Sequence, residues 1–178
     1  PKAWRDSIEV VAMDGFTGFK TAAVDKLPDA VEVMDPFHVV QLAGDALDRC
    51  RQRVQQETMG HRGRAGEPLY AARRTLHTGQ ALLTDKQRDR LDLLFSDDAH
   101  VQVEATWGVY QHIVDAYRHP DKTSGRQALT KVINALSCVP AALAELVTLG
   151  RTLKKRAGDV LAYFDHPGTS NGPTEAIN

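Results

Sequence analysis

Cysteine is scarce in this chain. Cys50 and Cys138 are the two it has in 178 residues, which makes a disulfide framework improbable and a reducing cytoplasm the expected compartment. No CxxC pair is present, and the seven histidines (His38, His61, His77, His100, His112, His119 and His166) are scattered; they read as satisfied or exposed side chains rather than zinc ligands. Apolar runs stop well short of the ~20 residues a membrane helix needs, which excludes a membrane span. No basic start leads into an apolar stretch, so no signal peptide is expected. The glycine-rich segment GHRGRAG at 60–66 lacks the lysine–hydroxyl pair of a P-loop, and no GxSxG surrounds Ser170. Excess charge of one sign is missing too. With 22 basic and 23 acidic residues the net charge is −1, so any contact with nucleic acid must rest on local clusters.

What is present is ordinary globular material, 42% hydrophobic and 25% charged. The first forty residues differ from the rest. Ile8 to Met13 is an apolar, β-branched run ending at Asp14-Gly15, and Ala30 to Met34 is a second one ending at Asp35-Pro36. Between them, 18–27 reads as a short helix closed by Pro28. Strand, helix and strand at this spacing predict a parallel pair with a crossover. Continuous apolar character predicts strands covered on both faces. The carboxyl ends of such strands face the functional crevice, which places Asp14 and Asp35 at that edge.

From His38 onward the periodicity is helical. Val40, Ala43, Leu47, Cys50 and Val54 form one stripe of a helix over 39–58. Shorter helices are predicted over 68–77 and 85–95, the latter with Thr84 as N-cap. Further helices are predicted over 101–118, 125–137 and 140–164, the last with Pro140 in its first turn. The loop 165–171 (DHPGTSN) leads into Gly172-Pro173-Thr174-Glu175-Ala176-Ile177-Asn178, which reads as a helix just starting. Two strands do not make a stable open sheet, so the expectation is a fragment, with further strands upstream and a cut end downstream.

The acids Asp14, Asp35 and Glu175 invite a chemical reading. Phosphoryl transfer on DNA uses two divalent metals about 3.5–4 Å apart, and magnesium prefers carboxylate and water oxygens. A strand-end aspartate facing a helix-borne glutamate meets that need. The same acids would equally serve to cap turns or to complement helix dipoles.

The stretch 10–40, VVAMDGFTGFKTAAVDKLPDAVEVMDPFHVV, resembles the second-aspartate region of bacterial insertion-sequence transposases of the DDE type, ISL-three family. The resemblance continues through ALDRCRQRVQ at 46–55, GRTLKKRAGDVLAYF at 150–164 and SNGPTEAIN at 170–178, and so covers nearly the whole chain. It implies an α/β fold with predominant helix: a partial RNase H-like core interrupted by a large all-helical insertion. Residues 1–40 would belong to the core, 41–165 to the insertion, and 166–178 to the return carrying the last acid. It also implies two metal ions, Mg2+ or Mn2+, with Asp14 as the second acid and Glu175 as the third. The first acid would lie on an earlier strand, and Asp6 cannot fill that place because it precedes the same strand as Asp14. Asp35 and His38 match an aspartate–histidine pair of the family pattern; they are expected to support the site or to cap the following helix.

The implied activity is metal-dependent DNA cleavage followed by strand transfer. The implied partners are double-stranded DNA (element ends and target) and further copies of the protein in a transposition complex. Seven arginines between 49 and 74 face only Glu57 and Glu67, and a second basic run lies at 151–156. From these, Arg49, Arg51, Arg53, Lys154, Lys155 and Arg156 are the candidate phosphate contacts, against the alternative that they are solvated helix faces. Trp107 and Tyr110 are candidates to stack on an unpaired base, against a core role at helical spacing. The fragment itself is expected to be inactive. The rival readings are a non-catalytic helical DNA-binding or assembly remnant and an RNase H-like nuclease unrelated to transposition.

Overall fold

A computed structural model describes residues 2–14 and 17–170. It is a helix-dominant α/β arrangement with one two-stranded parallel sheet. A short helix α1 (Lys2–Arg5) precedes β1 (Val10–Met13). Helix α2 (Thr17–Lys26) then crosses to β2 (Val31–Met34). The register pairs Val10 with Val31 and Met13 with Met34. Successive strand residues point to opposite faces, so the burial of both Val33 and Met34 means that β2 is covered on both sides at its carboxyl end. Val31, at its start, is exposed. The expectation of two covered faces therefore holds only toward the strand tips.

Helix α3 (Pro36–Met59) follows without a loop because Asp35 ends the strand and caps the helix in one step. Pro36 supplies a fixed φ at the first helical position. The far end is closed by Gly60 at φ 74°, whose N–H donates to the Gln56 carbonyl. The inward stripe of α3 is Val39, Ala43, Ala46, Leu47, Cys50 and Val54. It begins at Val39, one position before the residue the sequence pattern suggests.

Next come α4 (Pro68–Leu76), α5 (Asp85–Phe95), α6 (Val101–Arg118) and α7 (Lys122–Ala135). Thr84 caps α5 through a reciprocal capping box with Gln87. Helix α7 starts three residues ahead of its predicted start because Asp121 accepts from the Thr123 and Ser124 N–H groups. The core is built where α6 packs on α3 and on α7, with α8 (Ala144–Lys155) against α3 and α7. Leu47, Val103, Ile113, Leu129 and Leu153 are fully buried there. Gly125 lets α7 pass close to the end of α6: a Cβ on it would stand 2.5 Å from the Ala116 carbonyl oxygen.

The predicted helix over 140–164 is in fact two. Residues 140–143 form a turn; α8 spans Ala144–Lys155 and α9 spans Ala157–Ala162, with Arg156 between them at φ −107° and ψ 15°. Val139 before the proline is extended (ψ 144°), as sterics before proline require, and the Leu143 N–H closes the turn on the Pro140 carbonyl before the helix begins. The break at Arg156 turns α9 toward β2. Tyr117 stacks on Phe164 at 5.3 Å and donates its hydroxyl to the Val160 carbonyl, tying α9 back to α6.

Candidate active site

The register puts Asp14 and Asp35 directly after the last paired residues of the two strands, and Asp35 N–H donates to the Met13 carbonyl at 2.9 Å. Both acids therefore stand at the same sheet edge, as the sequence pattern predicts. Their surroundings differ. Asp14 is half-buried. Asp35 is 3% exposed, and its carboxylate is used inside the protein. Oδ1 accepts from Phe37 N–H at 2.8 Å, and Oδ2 accepts from the Ser170 hydroxyl at 2.7 Å. Asp35 is thus the helix cap. It is also the point to which the chain returns at the last described residue. His38 follows on the first turn of α3, half-buried. Its ring lies near edge-on to Phe37, with centroids 5.7 Å apart. Glu175 lies outside the described residues.

A buried ionic group sits beneath the strand tips. Asp159, 5% exposed, accepts from Lys20 Nζ at 2.7 Å and from Arg156 Nε at 2.7 Å. Lys20 also pairs with Glu32 at 3.1 Å. The Asp159 hydrogen bond, reinforced by Glu32 and opposed by desolvation, holds the Lys20 ammonium above the ordinary lysine range. Arg156 Nη2 reaches the Met13 sulfur at 3.9 Å. One carboxylate therefore joins α2 and the α8–α9 break to the end of β1. The acidic residue that makes this joint was not singled out in the sequence. Its only local signal is the Arg156–Asp159 spacing of three, which places both on one helix face.

The six candidate phosphate contacts divide into two groups. Arg51 is 5% exposed, donating to Gln55 and Asp48. Arg53 grips Glu145 with two bonds, 2.8 and 2.9 Å, and also reaches Gln102 and Glu57. Arg156 is buried on Asp159. These three are committed to internal partners. Arg49, Lys154 and Lys155 are exposed. Arg49 lines a groove between α3 and α8 with Thr148 and Thr152, and Lys155 shares Thr152 on the adjoining groove beside α2. Lys154 lines another groove, near Ser137 and Arg151.

The aromatic candidates belong to the core. Tyr110 is 6% exposed and donates its hydroxyl to the His77 carbonyl at 3.0 Å. Trp107 packs on Phe95 at 5.4 Å. The loop 60–66 is held by Glu67: Oε2 accepts from Arg64 N–H and Gln55 Nε2, and Oε1 pairs with His61.

Among the described residues no group of three or more His, Cys, Asp or Glu side chains comes together as a metal site. The donor chemistry at the strand tip suits magnesium all the same. Magnesium takes oxygen ligands and is held by one or two carboxylates plus substrate phosphates, and Asp14 is a carboxylate of that kind. Asp35, with both oxygens already accepting hydrogen bonds, is the poorer donor.

A family model described as "Transposase", of the ISL3 type of DDE transposases, matches residues 1–178. The chain belongs to that transposase family. Two curated relatives, each named transposase for insertion sequence element IS1557 and from Mycobacterium tuberculosis strains CDC 1551 and H37Rv, are each 28% identical to it over 193 aligned positions. Each alignment covers 94% of this chain and 41% of the relative, so the chain spans about two fifths of the length of these proteins. No solved structure matches it. Among the described residues no helix is long and apolar enough to cross a membrane.

Proposed function

We propose that this chain is a piece of a DDE transposase catalytic domain that acts on the ends of an insertion sequence. In this reading residues 1–40 belong to an RNase H-like core, 41–165 are a helical insertion, and 166–178 bring the last acid back to the core. The observation that carries it is the Ser170–Asp35 hydrogen bond. It holds the chain at the tip of β2 five residues before Glu175, which supports a pocket shared by Asp14 and Glu175.

The reaction would proceed in two displacements without a covalent enzyme intermediate. Water attacks the phosphodiester at the element's end, expelling a 3′-hydroxyl; that hydroxyl then attacks a phosphodiester of the target DNA, and one bond breaks as the other forms. Two divalent ions, Mg2+ or Mn2+, would neutralise the phosphate and assist the attacking and leaving oxygens when held by Asp14 and Glu175. Asp35 and His38 support the site by fixing the start of α3. Arg49 and Lys155, on adjoining grooves, and Lys154 would contact DNA phosphates, which position the duplex without reading its sequence. Binding of end and target DNA by several copies of the protein follows from the same reading, and the first acid would come from outside this chain.

Two measurements test it. Affinity for duplex DNA should fall steeply with salt as counterions are released, and Arg49→Ala combined with Lys155→Ala should flatten that slope by about two contacts' worth. Titrating Mg2+ while following Asp14 and Glu175 by NMR should move both signals together. Movement of neither sinks the catalytic assignment and leaves the helical DNA-binding or assembly reading. Cleavage of labelled element-end DNA by the chain alone, lost on Asp14→Ala, would overturn the claim that the first acid lies elsewhere.

A further inference from the structure

We infer that Phe37 is a base-stacking residue, whose ring packs against an unpaired base of the DNA strand held at the strand tips. This rests on the reading of the chain as part of a DNA-processing transposase.

Aromatic residues are only 6% of this chain, and most of those described are spent on the core. Tyr110, Tyr117 and Phe164 are buried, and Trp107 lies against Phe95. Of the two rings that sequence spacing offers for base stacking, Tyr110 is buried and Trp107 is half-buried against Phe95. Phe37 is 63% exposed. It is not a loop residue left in solvent by accident of sequence. It is the second residue of a 24-residue helix, two positions from Asp35, which itself follows the residue paired with Met13. Phe37 thus follows the strand tip that stands beside Asp14. Trp4, the other strongly exposed ring among the described residues, belongs to α1 ahead of β1.

The backbone that carries the ring is held in place. Pro36 fixes the preceding φ, Asp35 Oδ1 holds the Phe37 N–H at 2.8 Å, and Ser170 holds the other oxygen of that carboxylate at 2.7 Å. The His38 ring lies near edge-on to the phenyl ring at 77°, with centroids 5.7 Å apart. An exposed phenyl offers no hydrogen bond, so what it recognises is a flat apolar face, and every base has one. Stacking requires the base to be free of its pair. A pair at a strand end has one stacking neighbour fewer and opens more readily than an internal one, so a free base is most accessible at the ends being processed. The exposed cations Arg49 and Lys155 hold backbone, whereas Phe37 holds a base.

The test compares two labelled duplexes, one fully paired and one with a single unpaired 2-aminopurine, by fluorescence anisotropy and by the emission of the reporter base. The wild-type chain should bind the second more tightly by about five-fold or more, the lower end of what one base on one aromatic ring is worth, and should quench its emission. Phe37→Ala should bind the paired duplex unchanged, and lose both the preference and the quenching. Phe37→Trp should keep both. Because Phe37 is exposed, all three proteins should show the same thermal unfolding. Equal preference and quenching in wild type and Phe37→Ala, with paired-duplex binding intact, overturns the inference and leaves the transposase reading standing. Failure of the wild-type chain to bind either duplex overturns both.

Discussion

Ser170 donates its hydroxyl to Asp35 Oδ2 at 2.7 Å across 135 positions of sequence. The other oxygen of the same carboxylate caps α3, so one aspartate fixes the start of the longest helix and the return of the chain. Asp35→Ala removes both and should cost about 2 kcal/mol, the upper range for a lost N-cap. Ser170→Ala removes one neutral partner and should cost about 1 kcal/mol. Urea unfolding midpoints check the order; equal losses would mean that the cap carries nothing.

The Arg53–Glu145 pair joins α3 to α8 with two bonds and is mostly shielded from solvent. Hydrogen bonds from Arg53 hold the Glu145 carboxyl below the ordinary glutamate range against the opposing effect of burial. A depressed carboxyl contributes stability that is present above its unfolded value and lost as pH falls through the folded one. Glu145→Gln should therefore cost about 2 kcal/mol near neutrality. The gap from wild type should close below about pH 4. Thermal melts of both proteins from pH 7 to pH 3 measure it, and a gap independent of pH contradicts the assignment.

Asp159 accepts from two cations, Lys20 and Arg156, in a buried setting. An asparagine there keeps the shape but offers one carbonyl oxygen, and turns its amide protons toward the other cation. Leaving a buried charge uncompensated costs about 3–5 kcal/mol, so Asp159→Asn should be among the most damaging single changes in the chain, as read by denaturant unfolding. Lys20→Met should be milder, because Lys20 is partly exposed.

Two helical glycines make a matched pair. A Cβ at Gly125 would meet the Ala116 carbonyl oxygen at 2.5 Å and Phe164 at 2.8 Å, so Gly125→Ala forces the α6–α7 contact apart and should cost about 1–3 kcal/mol. A Cβ at Gly108 meets nothing within 4 Å, and Gly108→Ala should stabilise α6 by about 0.5–1 kcal/mol through backbone entropy. Opposite signs in one melting experiment are the expected outcome.

The strand–helix–strand opening, the Asp14–Asp35 edge and the Thr84 cap were all legible in the sequence, because each is written in neighbouring residues: an apolar run, a turn, a capping side chain. The break at Arg156 was not. Between 144 and 162 the apolar spacing continues, and the break falls at a buried arginine that pairs with Asp159 and reaches Met13, 143 positions earlier. The basic clusters misled for a related reason. Arg53 looks like a free cation on a helix, but besides Glu57 one turn on it grips Glu145, 92 positions away, and only folding brings that second acid to it. The Asp121 cap is written in the sequence as an aspartate ahead of Lys-Thr-Ser, and the helix it caps begins three residues before the predicted start at 125.

The carboxylate of Asp159 acts as a rivet through three layers of the molecule. Because α2, the bend after α8 and the sulfur-bearing end of β1 meet around it, the helical mass cannot slide past the sheet without taking the sheet's edge along. Whatever moves α2 or the bend after α8 bears on the strand that leads into Asp14.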